Sequence, residues 1–154
     1  MDKEVDQAMK VLFLDIDGVL NSSHFLEDLK SGQDAICPDM VAQINKVTDA
    51  TSCKIVISST WRLYWDLEDL IQILRKHGLT GDVIDKTPDL RLGRRDDEIL
   101  AWLANRSNLM AFAVVDDHAK DLVKVKDNFV HTSFVHGIQS HHADALIALL
   151  NHDI

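Results

Sequence analysis

The run Lys10-Val-Leu-Phe-Leu-Asp15-Ile-Asp17-Gly18-Val-Leu-Asn21 constrains this chain more than any other stretch. Four apolar residues, Val11 to Leu14, lead straight into two carboxylates one residue apart. A short continuous apolar run reads as a strand buried on both faces, as in a parallel sheet. Asp15 and Asp17 then stand at its C-terminal end, where open α/β sheets place their ligands. Alternation along an extended segment sends both Asp side chains to one side and Ile16 to the other. Gly18 lets the backbone turn sharply behind them. Two carboxylates that close repel each other unless a cation joins them or one keeps its proton. The pair therefore predicts a hard divalent metal, a nucleophile beside a general acid, or both. A strand followed by an ordinary Asp-rich turn has the same local spelling, so the rest of the chain decides.

At 154 residues the chain is long enough for one domain, residues 1–154, with a real core. Sixteen basic against 25 acidic residues give a net charge of -9, which argues against broad, non-specific coating of nucleic acid. A small basic pocket is still compatible with that balance. Cys37 and Cys53 lack metal or redox spacing and read as free thiols in a reducing compartment. Residues 1–9 are polar and acidic, unlike a signal peptide, and read as a flexible lead-in. No apolar run approaches membrane-spanning length, so the expected location is cytoplasmic, with no membrane partner.

Asn21 to Ile36 is polar and reads as a loop or short flap near the Asp pair, with His24 as an exposed loop residue. Pro38 suits the first turn of a helix whose apolar stripe is Val41, Ile44 and Val47. Lys54-Ile-Val-Ile57 is a second buried strand, ending in Ser58-Ser59-Thr60-Trp61-Arg62. Three hydroxyls at a strand end with an arginine beyond form a phosphate cradle, whereas a single helix cap needs only one of them. Leu67, Leu70, Ile71 and Leu74 face the core from the next helix, which Gly78 ends. Val83-Ile84 is a short strand. Arg91, Gly93, Arg94 and Arg95 then precede a helix opened by Asp96, Asp97 and Glu98. The helix dipole explains those acids but disfavours the arginines. A nearby phosphate explains them, as does a surface salt bridge.

Met110 to Val115 is a third apolar strand, ending in Asp116-Asp117, with Asp121 one helical turn on. A strand at Phe129 to Thr132 and a helix from His141 to Leu150 complete the chain. His131, His136, His141 and His142 match no zinc spacing and read as solvent-facing.

Strands alternate with helices throughout, which predicts an α/β, three-layer, Rossmann-like fold with a mostly parallel sheet. Three strand ends then bring Asp15 and Asp17, Ser58 to Thr60, and Asp116 and Asp117 toward one crevice, with Arg95 beside them. Carboxylates, hydroxyls and an arginine at one end of a sheet suit Mg²⁺ and a phosphoryl group.

These four motifs, in this order over residues 10–121, resemble those of the haloacid dehalogenase (HAD) superfamily of phosphohydrolases. Asp15-Ile-Asp17-Gly18-Val19 is similar to the first, Ser58 or Ser59-Thr60 to the second, Arg95 to the third and Asp116-Asp117 to the fourth. Asn21, the Ser58-to-Trp61 run and Arg95-Asp-Asp-Glu-Ile99 followed by Trp102-Leu103 are most similar to a subgroup associated with RNA-repair proteins. Asp96 stands where that subgroup usually has glycine. The resemblance implies that Asp15 is a nucleophile forming an aspartyl-phosphate and that Asp17 is the general acid and base. It implies Mg²⁺ on Asp15, the Asp17 carbonyl and one of Asp116 and Asp117. It implies that Ser58, Ser59 or Thr60 holds the phosphoryl group and that Arg95, or alternatively Arg94, offsets its charge. Residues 19–37 and 79–93 are too short for the cap domain that many members carry, so a capless member is expected.

The expected function is Mg²⁺-dependent hydrolysis of a phosphomonoester, with a polynucleotide end or another bulky ester as substrate. Arg62, Arg91, Arg94 and Arg95 are expected along one rim, holding a backbone phosphate. Trp61 and Trp65 are candidates for stacking a base or for core packing. A general small-metabolite or phosphoprotein phosphatase is the alternative. A phosphate-binding module on the same fold is the rival from another class, since fold does not establish activity. The presence of both Asp15 and Asp17 favours the enzyme.

Overall fold

The computed structural model describes residues 8–91 and 93–151. Residues 1–7 of the expected lead-in lie outside it, and the rest of that stretch does not behave as a lead-in: Met9 already belongs to the first strand. The elements run β1 (Met9–Leu14), α1 (Ser23–Glu27), α2 (Pro38–Thr51), β2 (Lys54–Ile57), α3 (Leu67–Lys76), β3 (Asp82–Lys86), α4 (Arg95–Ala104), β4 (Leu109–Asp116), β5 (Phe129–His131) and α5 (Ser140–Leu150). Short 3-10 turns fill Thr60–Leu63, Ala119–Asp121 and Val123–Asn128.

The five strands form one sheet in the order β3-β2-β1-β4-β5, and every pairing is parallel. Period-two alternation divides β1 between two layers. Leu12 and Leu14 pack with Ile55, Ile57, Ala113 and Val115 against α2, α3 and α5. Val11 and Phe13 face the other way, with Val56 and Val114, onto Ile99 and Trp102 of α4 and onto Leu122 and Val125. Phe13 meets Trp102 edge-on at 5.5 Å, and Arg106 lies 4.1 Å over the Trp102 ring. The expected three-layer α/β architecture is therefore the observed one. No cap domain is present among the described residues, and none of their helices is long and apolar enough to cross a membrane.

Two local features depart from the sequence reading. The polar flap contains a helix, α1, capped by Ser22 Oγ accepting from Phe25 N at 3.1 Å. Beyond β4 there is no α-turn joining Asp117 to Asp121; the chain forms a 3-10 turn at Ala119–Asp121, and Asp121 lies 3.4 Å from His118 Nδ1.

Strand order reverses at β1: the chain passes outward to β2 and β3, then returns across β1 to β4 and β5. The crevice at such a reversal, beyond the strand C-termini, is where this class of sheet binds ligands. The ladder also continues one residue past the strands. Asp15 N donates to Val115 O (3.2 Å), Ser58 N to Leu14 O (2.9 Å), and Thr132 N to Asp116 O (2.9 Å). Those bonds line up Asp15, Ser58 and Asp116 at one level.

Candidate active site

Asp15 follows the last residue of β1 and is 3% exposed. One carboxylate oxygen each from Asp15, Asp116 and Asp117 lies within 4.8 Å of the others. Arg95, the first residue of α4, reaches into this group: its Nη1 donates to Asp116 Oδ2 at 2.7 Å and lies 3.5 Å from Asp15 Oδ1. The second Asp116 oxygen accepts from His118 N at 2.9 Å.

Three carboxylates against one guanidinium leave an excess of negative charge in a buried place. Burial, reinforced by the Asp116 charge and opposed by Arg95, holds the Asp15 carboxyl well above the ordinary carboxylate range. Burial and the Asp116 charge also raise Asp117. Burial alone would lower the Arg95 pKa, but the charges of Asp116 and Asp15 outweigh it and hold the guanidinium firmly protonated.

The turn after β1 closes over the same group. Gly18 has φ +80, and a Cβ there would lie 2.1 Å from Asp117 Oδ2. Only glycine lets the backbone pass so near that carboxylate. Thr132 Oγ1, from the end of β5, donates to Gly18 O at 2.7 Å and holds the turn down. Three hard oxygen donors, an uncompensated negative charge and a backbone pressed against them suit a divalent cation. Asp15, Asp116 and Asp117 would hold it.

The family model described as the HAD domain in Swiss Army Knife RNA repair proteins matches residues 11–143. The chain belongs to this family. Comparisons with curated proteins and with solved structures gave no match.

In this HAD domain Asp15 and Asp17 do not form the side-by-side pair that alternation predicts. Asp17 is exposed, and its Oδ1 accepts from Asn21 Nδ2 (3.0 Å) and Trp61 Nε1 (3.1 Å). Extended geometry stops at Asp15: Val19 N and Leu20 N both donate to Ile16 O, so the chain is already turning at Asp17. The acidic group is built from Asp15 and β4, and the Asp17 carboxylate lies outside it.

The hydroxyl run divides by role. Ser58 is fully buried at the end of β2, and its Oγ has no hydrogen-bond partner. Ser59 is a cap, its Oγ accepting from Trp61 N at 3.2 Å. Thr60 is exposed and shares a shallow depression of about 190 Å³ with Arg91, Arg95 and Asp121. A larger hollow of about 330 Å³, bordered by Met9, Lys10, Lys54 and Met110, lies at the opposite end of the strands, remote from the carboxylates.

Arg62 corrects the sequence reading most. It was expected on the rim as a substrate contact; it borders the same depression as Arg91 and Arg95, but it is 6% exposed and its donors are engaged within the protein. It forms a 2.8 Å ion pair with Glu98 and donates to Thr87 O (3.0 Å), Ser59 O (3.0 Å) and Pro88 O (3.3 Å). It therefore braces the Ser58–Thr60 loop, the exit of β3 and α4 against one another. Arg94 points elsewhere than Arg95: it is exposed, its Nη2 donates to Lys120 O, and its Nε lies 3.5 Å from Asp96 Oδ1. Trp61 packs against the core, while Tyr64 and Trp65 are exposed. His24 is exposed and stacks on His136.

Sequence reasoning assigned no role to Thr132 or His118, and read Glu98 only as a first-turn acid matched to the helix dipole. Their contributions are backbone contacts and long-range pairings, which leave no local signature. Asn21 was noticed as part of a pattern, four residues beyond Asp17, without its hydrogen bonds.

Proposed function

We propose that this domain is a Mg²⁺-dependent phosphomonoester hydrolase that works through an aspartyl-phosphate on Asp15. The observation that carries the reading is the buried Asp15 carboxylate, set among Asp116, Asp117 and Arg95 beside the orphan Ser58 hydroxyl. A buried hydroxyl with no partner is costly unless a ligand completes it. A phosphoryl oxygen is a suitable acceptor for it.

Mg²⁺ on Asp15, Asp116, Asp117 and the Asp17 carbonyl would supply positive charge to offset the phosphoryl group. Ser58 Oγ donates to one phosphoryl oxygen and Arg95 faces another, turning from its carboxylate partners. An Asp15 oxygen attacks phosphorus, and the bond to the ester oxygen breaks. That oxygen takes the proton of Asp17, which is left as a carboxylate. Water then attacks the phosphorus of the Asp15 acyl phosphate and gives a proton to Asp17. The Asp15–phosphorus bond breaks, inorganic phosphate leaves, and both residues are restored.

For the substrate we favour a phosphate at the end of a polynucleotide. The family's association with RNA repair supports it, as do the uncapped crevice and the exposed Tyr64, Trp65, Arg91 and Arg94 at the same end of the sheet. The net charge of -9 opposes a polyanion at long range, so attraction is confined to about 10 Å, the screening length at ordinary ionic strength.

The test of the hydrolase is turnover of an aryl phosphate by chelated protein before and after Mg²⁺ is restored. Activity should vanish and return. Ca²⁺ should support it poorly, because its looser, higher coordination misplaces Asp15. Turnover undiminished by exhaustive chelation would contradict the reading.

A further inference from the structure

We propose that Asn21 and Trp61 are positioning residues for Asp17. Together they fix Oδ1 of its carboxyl and leave Oδ2 to carry the proton delivered to the leaving group. The proposal rests on the hydrolase reading above and adds the residues that aim its acid.

Oδ1 of Asp17 accepts two N–H bonds, from Asn21 Nδ2 at 3.0 Å and from Trp61 Nε1 at 3.1 Å. No protein partner for Oδ2 is found among the described residues. An oxygen already accepting two donors is the poorer place for a proton, so Oδ2 is the oxygen left to carry that of the acid form.

Asn21 is suited to hold that orientation. It is fully buried although its partner Asp17 is exposed. Its Oδ1 accepts from Gly18 N at 2.9 Å, which fixes which end of the amide is nitrogen. Its Nδ2 then donates both to Asp17 and to Ala35 O at 2.9 Å. One side chain thus ties the turn after β1 to the residue before Ile36 and to the acid itself. Trp61 reaches Asp17 from the loop after β2, three residues beyond Ser58, and Ser59 Oγ pins its backbone N–H. The hydroxyl loop and the acid are therefore mechanically joined. A tryptophan N–H near a surface ordinarily needs some partner, and solvent would serve. Here its partner is a carboxylate oxygen that Asn21 also holds.

The readout is leaving-group dependence. An alkoxide leaves only with a proton, whereas a nitrophenolate leaves without one, so a misaimed acid penalises alkyl esters selectively. Trp61→Phe keeps the ring against the core and removes the N–H. Its kcat/KM should fall about tenfold on a nucleoside 5′-monophosphate and less than about twofold on p-nitrophenyl phosphate, a partial loss of the usual general-acid contribution. A merely structural role would lower both together. A second measurement needs no turnover. The indole N–H resonance of Trp61, assigned by its loss in Trp61→Phe, should move on Asp17→Asn, while that of Trp102, bonded to Asp85, should not. Equal losses on the two esters, or an unmoved Trp61 resonance, would overturn the proposal while leaving the hydrolase reading intact. A wild-type protein that turns over neither ester would overturn that reading, and the positioning role with it.

Discussion

Asp15 occupies a place hostile to its own charge. Burial and Asp116 raise its carboxyl well above the ordinary carboxylate range, with Arg95 only partly compensating. In the window between the ordinary and the raised value, the folded protein holds a proton that the unfolded chain has already released. Stability therefore falls as pH climbs through that window and stays lost above it. Asp15→Asn should remove that loss. In the metal-free protein at neutral pH the variant should melt higher than wild type, by about 2–4 °C per kcal/mol gained. The difference should shrink as pH falls toward about 4, where the unfolded carboxyl is protonated too. A variant less stable than wild type at neutral pH would show that the Arg95 attraction dominates. The same substitution should abolish turnover, since an amide cannot replace the nucleophile. Arg95 has a separable signature. Arg95→Ala should lower both substrate binding and kcat, and Arg95→Lys should restore only part, because a point charge replaces a planar guanidinium that has further donors besides the Nη1 facing Asp15 and Asp116. A silent Arg95→Ala beside a damaging Arg94→Ala would move the cation one residue back.

Among the elements, the joint between the loop after β2, the exit of β3 and α4 depends on the Arg62–Glu98 pair. Glu98 also accepts from Leu90 N at 3.1 Å, so both partners carry backbone as well as each other. Arg62→Ala strands a carboxylate that is 7% exposed and removes donors from three carbonyls. Breaking such a pair from one side costs about 3–5 kcal/mol. Urea unfolding should show that loss, and a change below about 1 kcal/mol would contradict the brace. This joint also marks where sequence reading stops. Lys54–Ile57 was legible to the residue because a buried strand is a short unbroken apolar run. The edge strand β3 extended beyond Val83-Ile84 to Asp82–Lys86, because its exposed and half-buried positions admit polar residues. Arg62 read as a rim cation because nothing near it in sequence announces Glu98. Helix α1 escaped notice because five residues are too few to show a helical period.

At the scale of the whole molecule, three of the four motifs were legible because each follows its own apolar run, and Arg95 because a helix start disfavours a cation. The strand order was not, since it depends on pairings between distant segments. That order brings Asp15, just past β1, beside Asp116 of β4 and creates the acidic group. The open crevice predicts a preference for bulky esters. Against the matching mononucleotide, a phosphorylated oligonucleotide should show a kcat/KM at least tenfold higher, about 1.4 kcal/mol. That advantage should shrink as salt rises. Equal values would leave a general phosphatase as the better description. The most direct measurement of the central claim is a rapid-mixing experiment on Asp17→Asn with p-nitrophenyl phosphate and Mg²⁺. That ester does not need the missing acid, but hydrolysis of the acyl phosphate needs the missing base. The account predicts a burst of about one equivalent of nitrophenol per protein, with the phosphoryl group retained on Asp15. It also predicts no burst without Mg²⁺ or in the double variant Asp15→Asn, Asp17→Asn. A burst that survives in the double variant, or a phosphoryl group found on another residue, would contradict it.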